Sequence, residues 1–575
     1  MHKLIRQRPV LDDSHLPNTL HPIIKRVLAA RHMGAPGQLD YAITNLYPPQ
    51  GLYGIEAAAD LLADAFTNQD RILIVADYDA DGATSCAVAV KALQQMGAHF
   101  VDYLVPDREK HGYGLTPTIV ELALESKPDL LITVDNGIVS FRGVEAAKQH
   151  GMKVLITDHH APAKTLPAAD AIVNPNLEED TFPSKNLAGV GVIFYVMVAL
   201  RACLRQQGWF SSQNLPEPNL GDLLDLVALG TVADVVPLDY NNRILVEQGL
   251  RRMRDDRCCP GIRALIQISR KEQSLITASD LAFGAGPRLN AAGRMDNMSY
   301  GIACLLSNSD TEALQLARIL NDFNQERRFV EEEMKQEAFS ALEKLQLSDN
   351  HELPIGLCLL NEAWHQGVIG ILASRIKDQF NRPVIVFTQV ENSLLRGSAR
   401  SVKGVHIRDV IDRIATQYPD MIYKFGGHAM AAGLTIESQY FPVFQKQFDQ
   451  EVRKHLSEED LQGVIFTDGA LSAKDFNLTL AEQLRTISPF GQNFPEPIFE
   501  GDFLVKEQKV LKNKHLKLQV SPNGSPFSVD AIMFNAPEDM LDTELTQVQL
   551  VYKLDVNIFR DVKQLQLMVE YLQIK

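Results

Sequence analysis

The chain has 575 residues, 45% of them hydrophobic and 22% charged, which is too much for one ordinary core and sets an expectation of two to four soluble domains. With 72 acidic against 56 basic side chains the formal net charge is −16, which argues against a protein that coats nucleic acid through bulk positive charge, while leaving room for local basic tracks. MHKLIRQRPVLDDSHLP lacks the apolar stretch of a secretory signal, no continuous apolar run suggests a membrane span, and the six cysteines form no CxxC pair, so reduced thiols in a cytoplasmic protein are expected.

From about residue 70 short apolar runs alternate with helical stretches. RILIVA (71–76) reads as a strand and the segment from Ala83 to Met96 as a helix. VDYLV (101–105), DLLITV (129–134), KVLIT (153–157) and AIVNP (171–175) read as further strands, with helix-like segments such as TPTIVELALES between them. Apolar strands separated by helices predict an α/β fold with a parallel sheet covered on both faces. Such sheets bind ligands beyond the C-terminal ends of their strands. Residues 302–353 contain neither Gly nor Pro, and EALQLARILNDFNQERRFVEEEMKQEAFSALEKL predicts a long helix joining two lobes. A second α/β unit follows, with strands in IGLCLL (355–360), PVIVF (383–387) and AAGLTI (431–436) and a helix in GVIGILASRI. After residue 456, Val548, Leu550, Tyr552, Leu554, Val556 and Ile558 alternate with mostly polar residues, LKLQV (516–520) alternates too, and Asn523-Gly524 signals a turn. This predicts a small all-β module, a barrel or a sandwich. The resulting boundaries are a lead segment 1–44, a first domain 45–310, a connecting helix 311–345, a second domain 346–455 and the β module 456–575.

Acids cluster where the sheet rule wants a site. DYDADG puts Asp77, Asp79 and Asp81 directly after the first strand. A calcium loop would need a glutamate at its twelfth position, where Val88 stands. Asp135 follows LLITV, Asp158-His159-His160 follow KVLIT, and Asp234 lies in LVALGTVADVVPL. A lone aspartate at a strand end is usually a turn or cap residue, and paired histidines are often incidental. Three strand ends delivering ligand-type residues to one rim are harder to dismiss. Carboxylates with a histidine suit Mn²⁺ or Mg²⁺, and the number of acids suits two such ions. Phosphate ester hydrolysis is the reaction class they serve.

DYDADG followed by DHH at 158–160 resembles the DHH phosphoesterases, and GGHAMAAG (426–433) resembles the glycine-rich motif of their DHHA1 partner domain. VPDREKHGYGL (105–115), GPRLNAAGRM (286–295), WHQGVIGILASR (364–375) and GSARSVKG (397–404) point to one branch, the RecJ family of bacterial single-strand-specific 5′→3′ DNA exonucleases. The resemblance implies that Asp79, Asp81, Asp135, His159 and Asp234 are metal ligands, with Asp135 a bridge and Asp77 a further ligand or a neighbour of one. It implies that His160 faces the scissile phosphate and that Asp158 orients His159 by a hydrogen bond. It also implies two divalent cations, Mn²⁺ or Mg²⁺, and release of 5′-mononucleotides. Expected partners are single-stranded DNA with a free 5′ end, a helicase and a single-strand-binding protein. The chain is expected to be monomeric and to act in recombination and mismatch repair.

Arg108, Arg288, Ser398 and Arg400 lie in motifs that resemble the end-binding positions, and Arg suits a 5′ phosphate. Tyr113 offers a stacking face for a base, or a core ring. Gly426 and Gly427 open the backbone beside His428 to a phosphate, or mark a tight turn. VKEQKVLKNKHLK (505–517) carries Lys506, Lys509, Lys512, Lys514 and Lys517 against Glu507, a solvated face or, with the resemblance, a DNA track on an OB-fold. A channel between the two lobes is expected to admit one strand and reject a duplex. Shorter members of the family that cleave short oligoribonucleotides or cyclic dinucleotides lack the β module, and a non-catalytic scaffold is expected to have lost ligands.

Overall fold

The apolar runs after residue 70 form one sheet because they are β-branched and buried on both sides. The computed structural model describes residues 3–33, 37–107, 111–349, 353–390, 393–457, 459–522, 525–559 and 562–575, so Arg108 and the Asn523-Gly524 turn signal lie outside the described residues. The chain divides into two compact units, Gln7–Asp322 with Phe466–Lys575, and Met1–Arg6 with Phe323–Ile465.

In the larger unit, β1 (Arg71–Ala76), β2 (Phe100–Leu104), β3 (Leu130–Val134), β4 (Lys153–Thr157) and β5 (Ala171–Val173) pair in parallel, in the order β2-β1-β3-β4-β5. The order reverses direction between β1 and β3, and that switch point is where this sheet type opens a crevice. The register places Ala76 beside Val134 and Val134 beside Thr157. Asp77, Asp135 and Asp158 are the next residues of the three strands, so pairing alone sets them side by side. Leu73, Val75, Leu131, Val154 and Ile156 pack on one face against Ile119, Val120, Val144 and Ala147.

Helix α1 (Ala80–Gln95) packs against α2 (Gly189–Gln206) and α3 (Leu224–Ala233). It begins three residues before the expected Ala83, because the Asp79 side chain caps it by accepting from the N–H groups of Asp81 and Gly82. Gly82 therefore sits inside the first turn and does not form the turn into it. A Cβ there would lie 2.5 Å from the Asp77 carbonyl oxygen, so Gly82 permits a close approach. Helix α2 is long and apolar enough to cross a membrane by length and composition, but it is mostly buried against α1 and α3. Helix α4 (Gly286–Met295) follows a π-turn at Leu281–Ala285. Helix α5 runs Asp310–Asp349.

The smaller unit holds a mixed sheet of β6 (Leu357–Leu360), β7 (Val384–Gln389), β8 (Leu394–Arg400), β9 (Ile422–Gly427) and β10 (Ala431–Glu437), in the order β9-β10-β8-β7-β6. Only β6 and β7 are parallel. Ser398 pairs with Gly433, which pairs with Gly426.

The β module, in the larger unit, is a closed barrel of β11 (Phe499–Leu511), β12 (His515–Pro522), β13 (Val529–Met533), β14 (Gln547–Phe559) and β15 (Val562–Ile574). Closure is possible because the 13-residue β11 bends at a bulge between Val505 and Glu507 and pairs with β14 over Phe499–Leu504 and with β12 over Phe503–Leu511. Val548, Leu550 and Tyr552 fill the interior at 0% exposure, as their alternation predicts, whereas Ile558 at the strand's far end is 40% exposed.

The lead segment braces this barrel. Arg31 donates to both carboxylate oxygens of the buried Asp468, at 2.8 and 3.0 Å, and to the carbonyls of Val27 and Pro495, each at 2.6 Å. Asp468 also accepts from Arg8 and from the Ile498 N–H, one residue before β11. Arg31→Ala leaves Asp468 buried with much of its pairing lost. Its expected cost is about 3–5 kcal/mol, read as a fall in the urea midpoint; an unchanged midpoint would refute the brace.

Candidate metal centre

Each acid is delivered to the rim by a separate local device. Asp77 follows β1 directly and accepts from the Tyr78 N–H at 2.7 Å. Asp79 caps α1 with one carboxylate oxygen. Asp81, in the first turn of α1, accepts from the N–H groups of Gly189 and Val190 at 2.6 and 2.8 Å, so the N-terminus of α2 holds it. Asp135 adopts φ +61 beyond β3, and Asp234 caps the C-terminal end of α3. Gly189 lets α2 come this near: a Cβ on it would lie 2.6 Å from that of Asp135.

His159 joins the groups. Its Nε2 lies 3.1 Å from Asp135, 3.5 Å from Asp234 and 4.0 Å from Asp81. Three overlapping sets, Asp77-Asp79-Asp135, Asp81-His159-Asp234 and Asp135-His159-His160, each bring candidate ligand atoms within 4.8 Å of one another. Asp135 Oδ1 is buried and accepts no hydrogen bond. Hard oxygen donors, one imidazole and a buried carboxylate oxygen left over fit divalent cations.

The electrostatics agree. Burial first, and neighbouring carboxylates next, push the carboxyl groups of Asp77, Asp135 and Asp234 well above the usual range, and that of Asp81 up to about 7.

Asp158 does a different job from the expected one. Its Oδ1 lies 2.7 Å from the ring Nδ1 of His160, and the carboxylate accepts from the backbone N–H groups of His159, His160 and Ile138. It orients the His160 ring, whereas the His159 ring, its centroid 4.5 Å from that of His160, turns to Asp135. Burial would lower the His160 value, but the bond to Asp158 and that carboxylate's charge outweigh it and raise it to about 9. Asp158 is correspondingly lowered in spite of its burial. Tyr113 stands edge-on to both Tyr78 and His160, with centroids 6.1 Å away in each case, and is 42% exposed. It borders the acids as an open ring, not a core one.

Several supports were not read from the sequence. The buried Asn136 donates to the carbonyls of Val75 and Val134, tying β1 to β3 at the switch point. Asn174 and Asn176 donate to the carbonyls of His160 and His159. Asn290 of α4 accepts from the Ala80 N–H at 2.8 Å, and Gly293 lets α4 press on the Tyr78 carbonyl. The signals were present as NG after β3, NPN after β5 and the small residues of GPRLNAAGRM, but an asparagine after a strand reads first as a turn residue.

The expected phosphate-binding residues fall in different places. Arg288 donates to the carbonyls of Gly284 and Ile268 and to Asn321 of α5. Ser398 and Arg400 share the outward face of β8, where Arg400 approaches Ser398 Oγ at 3.4 Å and Gly370 leaves room for both. Nothing would crowd a Cβ on Gly426, whereas Gly427 has φ +143 and turns the chain into His428, whose N–H donates to the Ala431 carbonyl. Lys512 and Lys514 sit at the exposed tip of the β11–β12 hairpin, with Lys512 and Asn513 at φ +49 and +54, as a type I′ turn requires. Lys517 is paired with Asp530 at 2.7 Å.

Without a cation the raised carboxyl groups make the native state hold more protons than the unfolded chain above the ordinary carboxylate range, for Asp81 up to about pH 7. Stability of the metal-free protein is therefore expected to fall as pH rises through that range. Mn²⁺, which binds the ionised set, should stabilise most at the upper end. Thermal melts at pH 5 and 8, in chelator and in Mn²⁺, check this; parallel pH dependences would refute it.

The chain matches the models of the DHH family N-terminal domain at residues 71–231, the DHHA1 domain at 354–454 and the RecJ OB domain at 467–571. It is 50% identical to the single-stranded-DNA-specific exonuclease RecJ of Haemophilus influenzae, over 100% of this chain and 99% of that protein. Among solved structures it resembles RecJ from Thermus thermophilus in complex with Mn²⁺, at TM-score 0.80 and 26% identity over 99% of this chain and 80% of that one. The Mg²⁺ complex of the same protein matches at TM-score 0.75, again at 26% identity, over 99% and 79%. A DHH sheet with its acids on the switch-point rim, a DHHA1 domain and an OB barrel, matched from end to end, place this chain in the RecJ family of single-stranded-DNA-specific exonucleases.

Proposed function

We propose that this chain is a hydrolase that removes 5′-mononucleotides from the 5′ end of single-stranded DNA, using two divalent cations, Mn²⁺ or Mg²⁺, in recombination and repair. The observation that carries the reading is the buried rim in which Asp77, Asp79, Asp81, Asp135, His159 and Asp234 converge. These six residues would hold the cations, which when bound supply Lewis acidity and a nucleophile near neutral pH. Asp158 keeps His160 protonated and aimed, so that the imidazolium donates to the scissile phosphate. Tyr113, open beside His160, stacks on a base. Ser398, Arg400 and the bare backbone at Gly426, with Gly427 and His428 next to it, receive a terminal phosphate, as would Arg108. Arg288, held by Asn321 of α5, binds phosphate oxygens of the strand. Lys512 and Lys514 on the barrel bind the phosphate backbone downstream.

A domain division at 45–310, 346–455 and 456–575, with the helix between, belongs to the same reading. So do a helicase and a single-strand-binding protein as partners, a monomeric state and a cytoplasmic place of action. The barrel argues against an enzyme of short oligoribonucleotides.

Single strands labelled at one end and incubated with Mn²⁺ should release the 5′ label first, as mononucleotide. Release from the 3′ end first, or action only on RNAs of two or three residues, would sink the reading. Asp81→Ala should abolish turnover while strand binding stays measurable. Asp158→Asn removes the carboxylate that raises His160. It should lower kcat/KM by about 10–100-fold and move the alkaline limb of the pH profile to lower pH. A profile that keeps its alkaline limb in place would exclude a protonated His160.

A further inference from the structure

Asp234 is a candidate ligand placed by the end of a helix, outside the acid loop that follows β1. It caps α3, and the next residue, Val235, has φ +63 and is 60% exposed. A β-branched side chain in the left-handed region is strained, and persists only where its surroundings hold the backbone. The restraint lies three residues on. The Leu238 N–H donates to the Gln492 carbonyl at 2.9 Å, and its own carbonyl accepts from Arg243 at 2.8 Å. Arg243 in turn lies over the Phe494 ring, 4.4 Å from its centroid. Gly491 packs so closely that a Cβ on it would meet Leu238 Cδ1 at 2.8 Å. Gly491 and Phe494 bond to each other through both backbone groups, with Asn493 at φ +58, so residues 491–494 form a tight closed turn. That turn leads into Pro495, which Arg31 grips, and then into β11 of the barrel. From the other side, Asn242 holds the Pro237 carbonyl, and Asp239 accepts from Ser184 and Asn186.

We propose that the 491–494 turn is a clamp through which the barrel positions Asp234, so that seating of the OB module sets the cation affinity of the catalytic sheet. This rests on the reading of Asp234 as a ligand. Gly491, Phe494 and Leu238 lie outside the candidate ligand set; they are positioning residues, acting through the strained Val235. The arrangement gives a reason for a nucleic-acid module to be tied by main-chain bonds to a metal-site loop. A barrel not seated on the catalytic domain leaves the Asp234 loop free to relax, and the centre weak.

The test uses the full chain and Mn²⁺ alone. Gly491→Val drives side-chain atoms into Leu238. It is expected to weaken Mn²⁺ binding, measured by calorimetry without DNA, by about tenfold, while single-strand affinity in chelator changes little. The double variant Gly491→Val with Leu238→Ala makes room for the new atoms and should restore Mn²⁺ affinity, which a general loss of folding would not. Phe494→Leu, a milder change that removes the ring beneath Arg243, should weaken Mn²⁺ in the same direction, and serves if the valine variant does not fold. Asp234→Asn separates the two readings. If it leaves Mn²⁺ affinity intact, Asp234 is not a ligand; if it weakens Mn²⁺ while folded Gly491→Val and Phe494→Leu bind as the parent does, the clamp is overturned.

Discussion

Carboxylates repel when buried together, and the larger unit is organised around keeping several of them side by side. The register of three parallel strands makes this crowding unavoidable, since Ala76, Val134 and Thr157 are neighbours and an aspartate follows each. What tolerates it is a supply of N–H donors from four directions: the first turn of α1, the N-terminus of α2, the chain after Asp158 and the Ile138 amide. These donors satisfy some oxygens and leave others, such as Asp135 Oδ1, buried and available. The remaining repulsion is what divalent cations relieve.

Close approach is the second requirement. A helix N-terminus can serve Asp81 only if α2 lies almost on the strand ends, and Gly189 is the residue that lets it. Gly82 and Gly293 play the same part, bringing α1 to the Asp77 carbonyl and α4 to that of Tyr78. GPRLNAAGRM thus holds the acid loop in place through Asn290 and Gly293, besides carrying Arg288.

Charge is unevenly distributed along the chain. The chain is acidic overall, yet the exposed barrel hairpin presents Lys512 and Lys514 on a turn whose left-handed residues make it project. Lys517 is paired with Asp530, so the basic segment divides into an exposed tip and a base committed to the barrel. One face of β8 carries Ser398 and Arg400, with Gly433 and Gly426 on the next two strands of the sheet.

Much of this was legible in the sequence because period and punctuation are local. The five parallel strands, the long helix and the alternation of β14 follow from apolar spacing, and the acids follow from their place after strands. Strands β8 and β9 were not legible: LLRGSAR is poor in strand-forming residues, and IYKFGG ends in a glycine pair that reads as a turn; β8 is a strand because Gly397 fits beneath the Phe387 ring and its neighbours supply the ladder. Which histidine Asp158 serves was read wrongly, because adjacent side chains share a motif and only the backbone path decides which ring turns back. The asparagines that pin the rim and the turn at Gly491 escaped notice for one reason. Each works by hydrogen bonds or contacts to residues distant in the chain, and such pairings exist only once the sheet, the helices and the barrel have packed.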